Sequence, residues 1–485
     1  MSNFEDVRAG REHNMFQLKE LGINPFPSST NITHNIKSII DTFDNLLSEG
    51  EQVVVGGRIL SFREHGAIVF LDIFDGSGKL QLFCSKKEMK ELDFMQLVET
   101  INTGDFIEAA GPVYLTKRGT RAILVKDWKV LSKALQNIPT EYFGIKDEDE
   151  RYRKRYLDLL LNEDLRDLFV KKAHFWDVTR DLMKRHGFLE VETPFLEVTT
   201  GGAEARPFVT YHNDFDMDVY LRICAGELWQ KRLMAAGFPK TFEIGRSFRN
   251  EGTSPEHLQE FTNCEFYWAY ADYRDGMKLV RDLYIEIAQK VFKTTRFSMR
   301  GHNFDLADEW PEIDYVETIE NQTGLNVLTA SEDNMRSKLT ELGVEYEGNN
   351  RERLTDTLWK HCRKQIAGPV FLVNHPKLVA PLAKLREDGE TVEMFQPIIA
   401  GSEVGRGYSE LNDPVDQRRR FEVQQQLLDA GDNEAMMPDW EFVEMLEYGM
   451  PPTCGFGFGE RLFAFLSGKP IRETQLFPLM KPRES

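Results

Sequence analysis

Residues 241–270, TFEIGRSFRNEGTSPEHLQEFTNCEFYWAY, read as two strands around a polar loop, GTSPEHLQ, and this hairpin decides the fold class. Successive side chains of a strand point to opposite faces. Phe261, Glu265 and Tyr267 therefore share one side, an aromatic plate, a carboxylate and a phenol in a row, while Thr262, Cys264, Phe266 and Trp268 point to the other. On the preceding strand Arg249 is followed two residues later by Glu251. A guanidinium can grip a phosphate or carboxylate bidentately, each charge-assisted bond contributing roughly 1.5 to 3 kcal/mol. Taken alone, the pattern also fits a hairpin with surface charges.

Upstream, Asn162 can cap a helix with Glu163 and Asp164 in its first turn. Leu165, Leu168, Phe169, Trp176, Leu182 and Met183 give that helix an apolar stripe, Gly187 ends it, and FLEVETP follows as a strand closed by Pro194. Downstream come a helix near residues 275–292, a largely helical polar stretch near 330–366, and returning strands from Phe371 onward. This order predicts an α+β domain, a mixed and mainly antiparallel sheet flanked by helices.

Two further constellations bear on chemistry. Near the C-terminal end, CGFGFGERLFAFLSG is a glycine-rich strand running straight into a helix with Arg461 in its first turn. A cation there opposes the helix dipole, and the conflict disappears if an anion sits between them. Leu462, Phe465 and Leu466 fit core positions. Glu227, in RICAGELWQKRL, and Glu403 and Glu410, in IIAGSEVGRGYSELNDP, add carboxylates. Gathered in a cleft they suit a substrate bearing ammonium groups, or a magnesium ion held with ATP phosphates; apart, each is a solvated glutamate.

Residues 52–131 carry short β segments, VVVGGRIL, AIVFLDIF, KLQLF, FIEAAGPVYL and RAILVKDWKVL, with the Asp75-Gly76-Ser77-Gly78 turn joining two as a hairpin. Five strands predict a small antiparallel barrel, and the OB-fold is the common barrel of this size that binds oligonucleotides on a strand face. A barrel acting only as a spacer gives the same pattern. Residues 134–150 then turn polar and acidic, ending in KDEDE, and read as a linker.

The formal charge of -19 looks wrong for a nucleic-acid binder, but phosphate contact depends on local patches. Lys117, Arg118, Arg121, Lys126, Lys129 and Lys133 form one such patch, and Arg151, Arg153, Lys154 and Arg155 another. A solvated basic surface is the competing reading of both. Cys84, Cys224, Cys264, Cys362 and Cys454 lie far apart without CxxC spacing, against zinc or a disulfide framework and in keeping with a reducing cytoplasm. The opening MSNFEDVRAGREHN has no apolar core of signal-peptide length, and no long apolar run follows, so neither secretion nor membrane insertion is expected.

GFLEVETP, FRNEG with the distal EFT, and GFGFGERL resemble, in this order, motifs 1, 2 and 3 of class II aminoacyl-tRNA synthetases. RYLDLL, GGAEARPF, YWAYADY, PLAK, SELNDP and AGDNEAM resemble the lysyl-tRNA synthetases within that class. The resemblance spans nearly the whole chain. It implies an OB-fold anticodon-binding domain with an N-terminal helical extension over residues 1–140, a linker over 141–160, and a class II catalytic domain over 161–485 with a helical insertion at about 326–368. It also implies a homodimer built on motif 1, with tRNA(Lys), ATP and L-lysine as partners, Mg2+ accompanying ATP, and neither DNA nor membrane.

Laid on matching positions, the family's mechanism assigns Arg249 to the α-phosphate and the amino acid, Glu251 and His257 to the border of the nucleotide, Phe261 to stacking on adenine, and Arg461 to the γ-phosphate. Lysine selection falls to Glu410 and Tyr267 at the ε-ammonium, with Glu227, Glu265 and the backbone at Gly202 nearer the α-amino end. In the barrel, Phe70 is implied to stack on an anticodon base, Gln81 to read its edge, and Arg63 to stand nearby. Glu403 remains as a metal ligand. The sequence departs from the family at Arg406, where asparagine is usual, and at Gln396, where a metal-binding glutamate is usual. One residue is added before Glu227 and one is missing before Arg461.

Competing readings are an aspartyl- or asparaginyl-tRNA synthetase, a paralogue that adenylates lysine for another acceptor, and a non-catalytic nucleic-acid-binding module. An aspartate site needs a dominant cation, whereas Glu227, Glu265 and Glu410 gather carboxylates.

Overall fold

The computed structural model describes residues 2–139, 145–203, 205–252, 254, 257–346, 350–431 and 435–483. Glu204 of GGAEARPF, residues 432–434 of AGDNEAM and positions 140–144 of the expected linker lie outside the described residues. The chain divides into two compact units, Met1–Asn162 and Glu163–Ser485.

The first unit is a barrel preceded by helices Ser2–Glu20, Ile36–Asp41 and Phe43–Glu49. Its strands are β1 (Gln52–His65), β2 (Ile68–Phe74), β3 (Lys79–Ser85), β4 (Phe106–Leu115), β5 (Arg121–Leu124) and β6 (Asp127–Ser132). The hairpin at Asp75 forms as expected, with Phe74 opposite Lys79. RAILVKDWKVL, read as one strand, is two. The change of partner falls at Val125 and Lys126, whose N–H groups donate to Phe83 O and Ala110 O, because β5 pairs in parallel with β3 while β6 returns antiparallel along β4. β1 pairs with both β2 and β4, which closes the barrel. Strict alternation sends Val69, Leu71, Ile73, Leu80 and Leu82 into the core and leaves Phe70, Asp72, Gln81 and Phe83 on the outer face. The stretch read as linker carries two short helices, Glu148–Arg153, capped by the Asp147 carboxylate, and Arg155–Leu161.

The second unit is built on a nine-stranded sheet of β7 (Leu189–Glu190), β8 (Lys240–Phe248), β9 (Glu260–Ala269), β10 (Glu312–Asp314), β11 (Val370–Pro376), β12 (Thr391–Ile399), β13 (Ser402–Glu403), β14 (Arg406–Ser409) and β15 (Thr453–Gly459). The spatial order is β10-β11-β12-β14-β15-β9-β8-β7, with β13 added on β12. The interior is antiparallel, and the edge strands β10 and β7 join in parallel, so the sheet is mixed as expected. Helix Glu163–Arg185 buries Leu165, Leu168, Leu182 and Met183, together with Phe175 and Val178 where Phe169 and Trp176 were expected. Phe175 meets Phe463 edge-on, with centroids 5.6 Å apart. FLEVETP supplies only the two-residue β7, because Val191 still donates to Phe242 O but Thr193 turns its N–H and hydroxyl to the Glu243 carboxylate. Helices Tyr315–Thr323, Glu332–Glu341 and Arg351–Cys362 close over their own core of Ile319, Met335, Leu339, Leu358 and Trp359.

Candidate active site

A cleft of about 420 Å³ lies over β9, β14 and β15. The β9–β15 register sets Asn263 opposite Gly459, Glu265 opposite Gly457 and Tyr267 opposite Gly455. Wherever β9 raises a polar side chain into the cleft, its neighbour therefore offers bare backbone. A Cβ on Gly455 would stand 2.1 Å from Glu410 Oε1 and 2.6 Å from the Tyr267 ring, and one on Gly459 would stand 2.8 Å from Asn263 Oδ1. The glycine alternation of GFGFGERL is thus a packing requirement of the opposite strand.

One end of the cleft is cationic and aromatic. Arg249 follows β8, donates from Nε to Ile223 O at 3.2 Å, and holds its guanidinium 5.4 Å from the centre of the Phe261 ring. Glu251 and His257 border this end, with His257 Nδ1 at 2.7 Å from Ser254 Oγ. Arg461 opens the short helix Arg461–Leu466. Its neighbour Glu460 is buried, pairs with Lys172 and accepts from Thr262 N at 3.2 Å, so the strand-to-helix junction is anchored from behind. Glu403 reaches the same cleft. Trp359 Nε1 donates to its Oε1 at 2.6 Å, and Arg363 stands 3.7 Å from that oxygen. Gln396 Oε1 lies 2.9 Å from His375 Nε2, and burial pushes that imidazole down to about 3, so the ring is neutral. Arg406 donates to Val379 O at 2.5 Å and has no carboxylate partner among the described residues.

The other end is acidic and buried. Glu227, Glu265 and Glu410 are all buried. Glu265 Oε1 accepts from Ala225 N at 2.7 Å, and Tyr408 donates its hydroxyl to Glu227 Oε1. Burial, with Glu227 adding to it, pushes the Glu265 carboxyl up to about 7. Burial also raises Glu410, against the pull of the nearby Lys231 ammonium. Gly202 lies at φ 98°, where a Cβ would come within 2.9 Å of Cys224 Sγ and of Glu227 Cβ. Cys224 Sγ and oxygens of Glu227 and Glu265 gather within 4.8 Å of one another. Burial and these carboxylates push the thiol well up, so it stays neutral. The cluster's charge is carboxylate, which suits an ammonium group better than a thiolate-bound metal.

The residues singled out for nucleotide and amino acid, from Gly202 and Glu227 to Glu410 and Arg461, thus converge on one cavity. Asn263, Tyr408 and Lys231 are there too and were missed. Asn263 was legible, since alternation puts it between Phe261 and Glu265. For Lys231 the only local signal is that it follows Glu227 by four residues on helix Glu227–Ala235.

In the barrel unit, Arg63 faces Phe70 across β1 and β2, and Gln81 faces Asp72 across β2 and β3. Gln81 Nε2 and Arg63 Nη2 donate to Asp72 Oδ1 at 3.2 and 3.1 Å. Phe70, Phe83 and Tyr114 form a run of rings with successive centroids 5.3 Å apart. Arg63, Phe70 and Gln81 therefore share one outward face, polar groups beside an aromatic platform.

An antiparallel sheet flooring a cleft between arginines and carboxylates, in a chain that also carries a closed β-barrel, is the build of a class II tRNA synthetase. The family model for tRNA synthetases class II (D, K and N) matches residues 147–481, and that for the OB-fold nucleic acid binding domain matches residues 53–131. The lysine–tRNA ligase of Thermotoga maritima is 40% identical over 475 residues, 96% of this chain and 94% of that protein. Those of Fervidobacterium nodosum and Moorella thermoacetica are each 40% identical, covering 99% of this chain and 94% and 98% of those proteins. The chain belongs to the lysine–tRNA ligase family of class II synthetases.

Proposed function

We propose that this chain activates L-lysine with ATP to lysyl-adenylate and transfers the lysyl group to the 3' end of tRNA(Lys). The observation that carries this reading is the polarity of one cleft, with Arg249 and Arg461 at one end and buried Glu227, Glu265 and Glu410 at the other. The lysine carboxylate attacks the α-phosphorus and pyrophosphate leaves; the terminal ribose hydroxyl of tRNA then attacks the adenylate carbonyl and AMP leaves. No protein nucleophile is required. Arg249 meets the charge growing at the α-phosphate, Arg461 holds the far phosphate, Phe261 stacks on adenine, and Glu251 and His257 border the nucleotide, so catalysis is orientation and preorganised charge. Glu410 and Tyr267 receive the ε-ammonium, while Glu265, Glu227 and the Gly202 backbone serve the α-amino end.

Magnesium carried with ATP fits Glu403. Trp359 and Arg363 engage Oε1 alone, leaving one carboxylate oxygen for a cation whose other ligands are phosphates and water. Bound there, the ion would neutralise phosphate charge. Residues 1–140 serve as the anticodon-binding part, 141–160 as connection and 161–485 as the catalytic part. Leu189 in motif 1, Phe195, Leu196 and Val198 just after it, and Val170 and Val209 are exposed large apolar side chains and support a homodimer. The reading places the protein in the cytoplasm, where tRNA is charged; no described helix is long and apolar enough to cross a membrane.

ATP–pyrophosphate exchange tests the reading. Lysine is expected to drive exchange and aspartate or asparagine to leave it at background; exchange driven by aspartate instead would overturn it. Phe70→Ala is expected to weaken tRNA charging by about 10- to 100-fold, the value of one stacked base, while lysine-dependent exchange stays within about twofold. Equal losses in both assays would refute the division of labour between barrel and cleft.

A further inference from the structure

Among the described residues, the cation buried at the acidic end of the cleft is Lys231. Its side chain is 1% exposed, and its Nζ lies 2.8 Å from Glu227 Oε1 and 2.6 Å from Glu410 Oε2. The rings of Tyr408, Phe442 and Tyr267 surround the ammonium at 5.5, 5.8 and 5.9 Å. Glu410 Oε1 is buried and has no hydrogen-bond partner among the described residues. A buried carboxylate oxygen left without a donor is costly unless a ligand completes it.

The charges then match an amino acid with two ammonium groups. Ionised, as a bound ammonium requires, Glu227, Glu265 and Glu410 bring three negative charges to this end of the cleft and Lys231 returns one. The two that remain equal the two ammonium groups of L-lysine, whose carboxylate falls to Arg249. We propose that Lys231 is a specificity-determining residue: it occupies Glu227 and one oxygen of Glu410, and so leaves Glu410 Oε1 and Glu265 to receive one ammonium each. In this arrangement Glu227 acts as a positioning group for Lys231, and the α-ammonium falls to Glu265. Without Lys231, three carboxylates stand together in a buried pocket, and like-charge repulsion displaces or protonates the one that should meet the substrate.

The inference rests on the lysine-activating reading, and exchange kinetics separate the two. A wild-type protein that shows no lysine-driven exchange refutes that reading itself. With wild-type exchange established, Lys231→Met, which keeps the length and apolar stem, is expected to raise the KM for lysine by about tenfold or more. The KM for ATP and kcat should stay within about threefold, since the arginine end is untouched. Combining K231M with Glu227→Gln restores two negative charges and is expected to recover at least about fivefold of the lost KM. A purely structural role for Lys231 predicts instead that the double variant is no better than the single. That result, or a wild-type KM in K231M, overturns the proposal. Thermal unfolding checks each variant, and Lys231→Gln, paired with E227Q in the same way, decides the question if K231M does not fold.

Discussion

Arg249→Ala is expected to lower lysine-dependent pyrophosphate exchange by about 10³-fold or more, and Arg461→Ala by about 10²-fold, with both variants folded. A preorganised donor aimed at developing charge is worth about 10² to 10³ in kcat, and an arginine on a transferring phosphoryl group about 10³ to 10⁵. Arg249 stands where negative charge grows as the carboxylate attacks, so it takes the larger loss; Arg461 holds charge that is already present in ATP, so part of its effect is spent in binding. The fold should survive, because Arg249 is only half-buried and the bond from its Nε goes to one backbone carbonyl. The junction before Arg461 is anchored by the buried pair of Glu460 with Lys172. Exchange kinetics with thermal unfolding of each variant check this. Arg249→Ala retaining exchange within tenfold of wild type would remove Arg249 from the chemistry.

Period-two alternation and glycine spacing made the cleft legible. Alternation alone placed Phe261, Glu265 and Tyr267 on one face, and the structure adds the reason for GFGFGERL, since each glycine faces one of the β9 side chains in the cleft. What stayed hidden depended on distant pairing. The break between β5 and β6 follows from β5 choosing β3 as a parallel partner, which no local pattern in RAILVKDWKVL announces. Phe175 replaces Phe169 in the helix core because Phe463, almost three hundred residues away in sequence, comes to meet it. The i,i+4 spacing of Lys231 from Glu227 is local, but only the return of Glu410 to the same spot makes Lys231 a buried bridge. Arg406 and Gln396, the two departures from the family, are held by neutral groups, the Val379 carbonyl and the His375 ring.

Glu410→Gln keeps shape and removes one charge, and is expected to cost about 10³-fold in kcat/KM for lysine with the KM for ATP unchanged. A carboxylate about 4 Å from an ammonium in a partly shielded site contributes on the order of 4 kcal/mol, and 1.36 kcal/mol is tenfold. Glu410 is 1% exposed, so water cannot replace the lost interaction. The same burial sets a pH dependence. Glu265 is pushed up to about 7 and Glu410 is raised as well, so the ligand-free protein keeps protons that the unfolded chain has already released. For an acid raised in this way, the stability it confers is complete below the unfolded value of about 4.3 and is given up as pH rises through the folded value. An ammonium ligand binds the ionised form and therefore restores most where most has been given up. At a fixed lysine concentration, the rise in Tm on adding lysine is expected to be larger at pH 8 than at pH 6, and smaller at both in Glu410→Gln. A lysine-induced rise that is the same at both pH values in the wild type would mean these carboxylates are not what the substrate's ammonium groups meet.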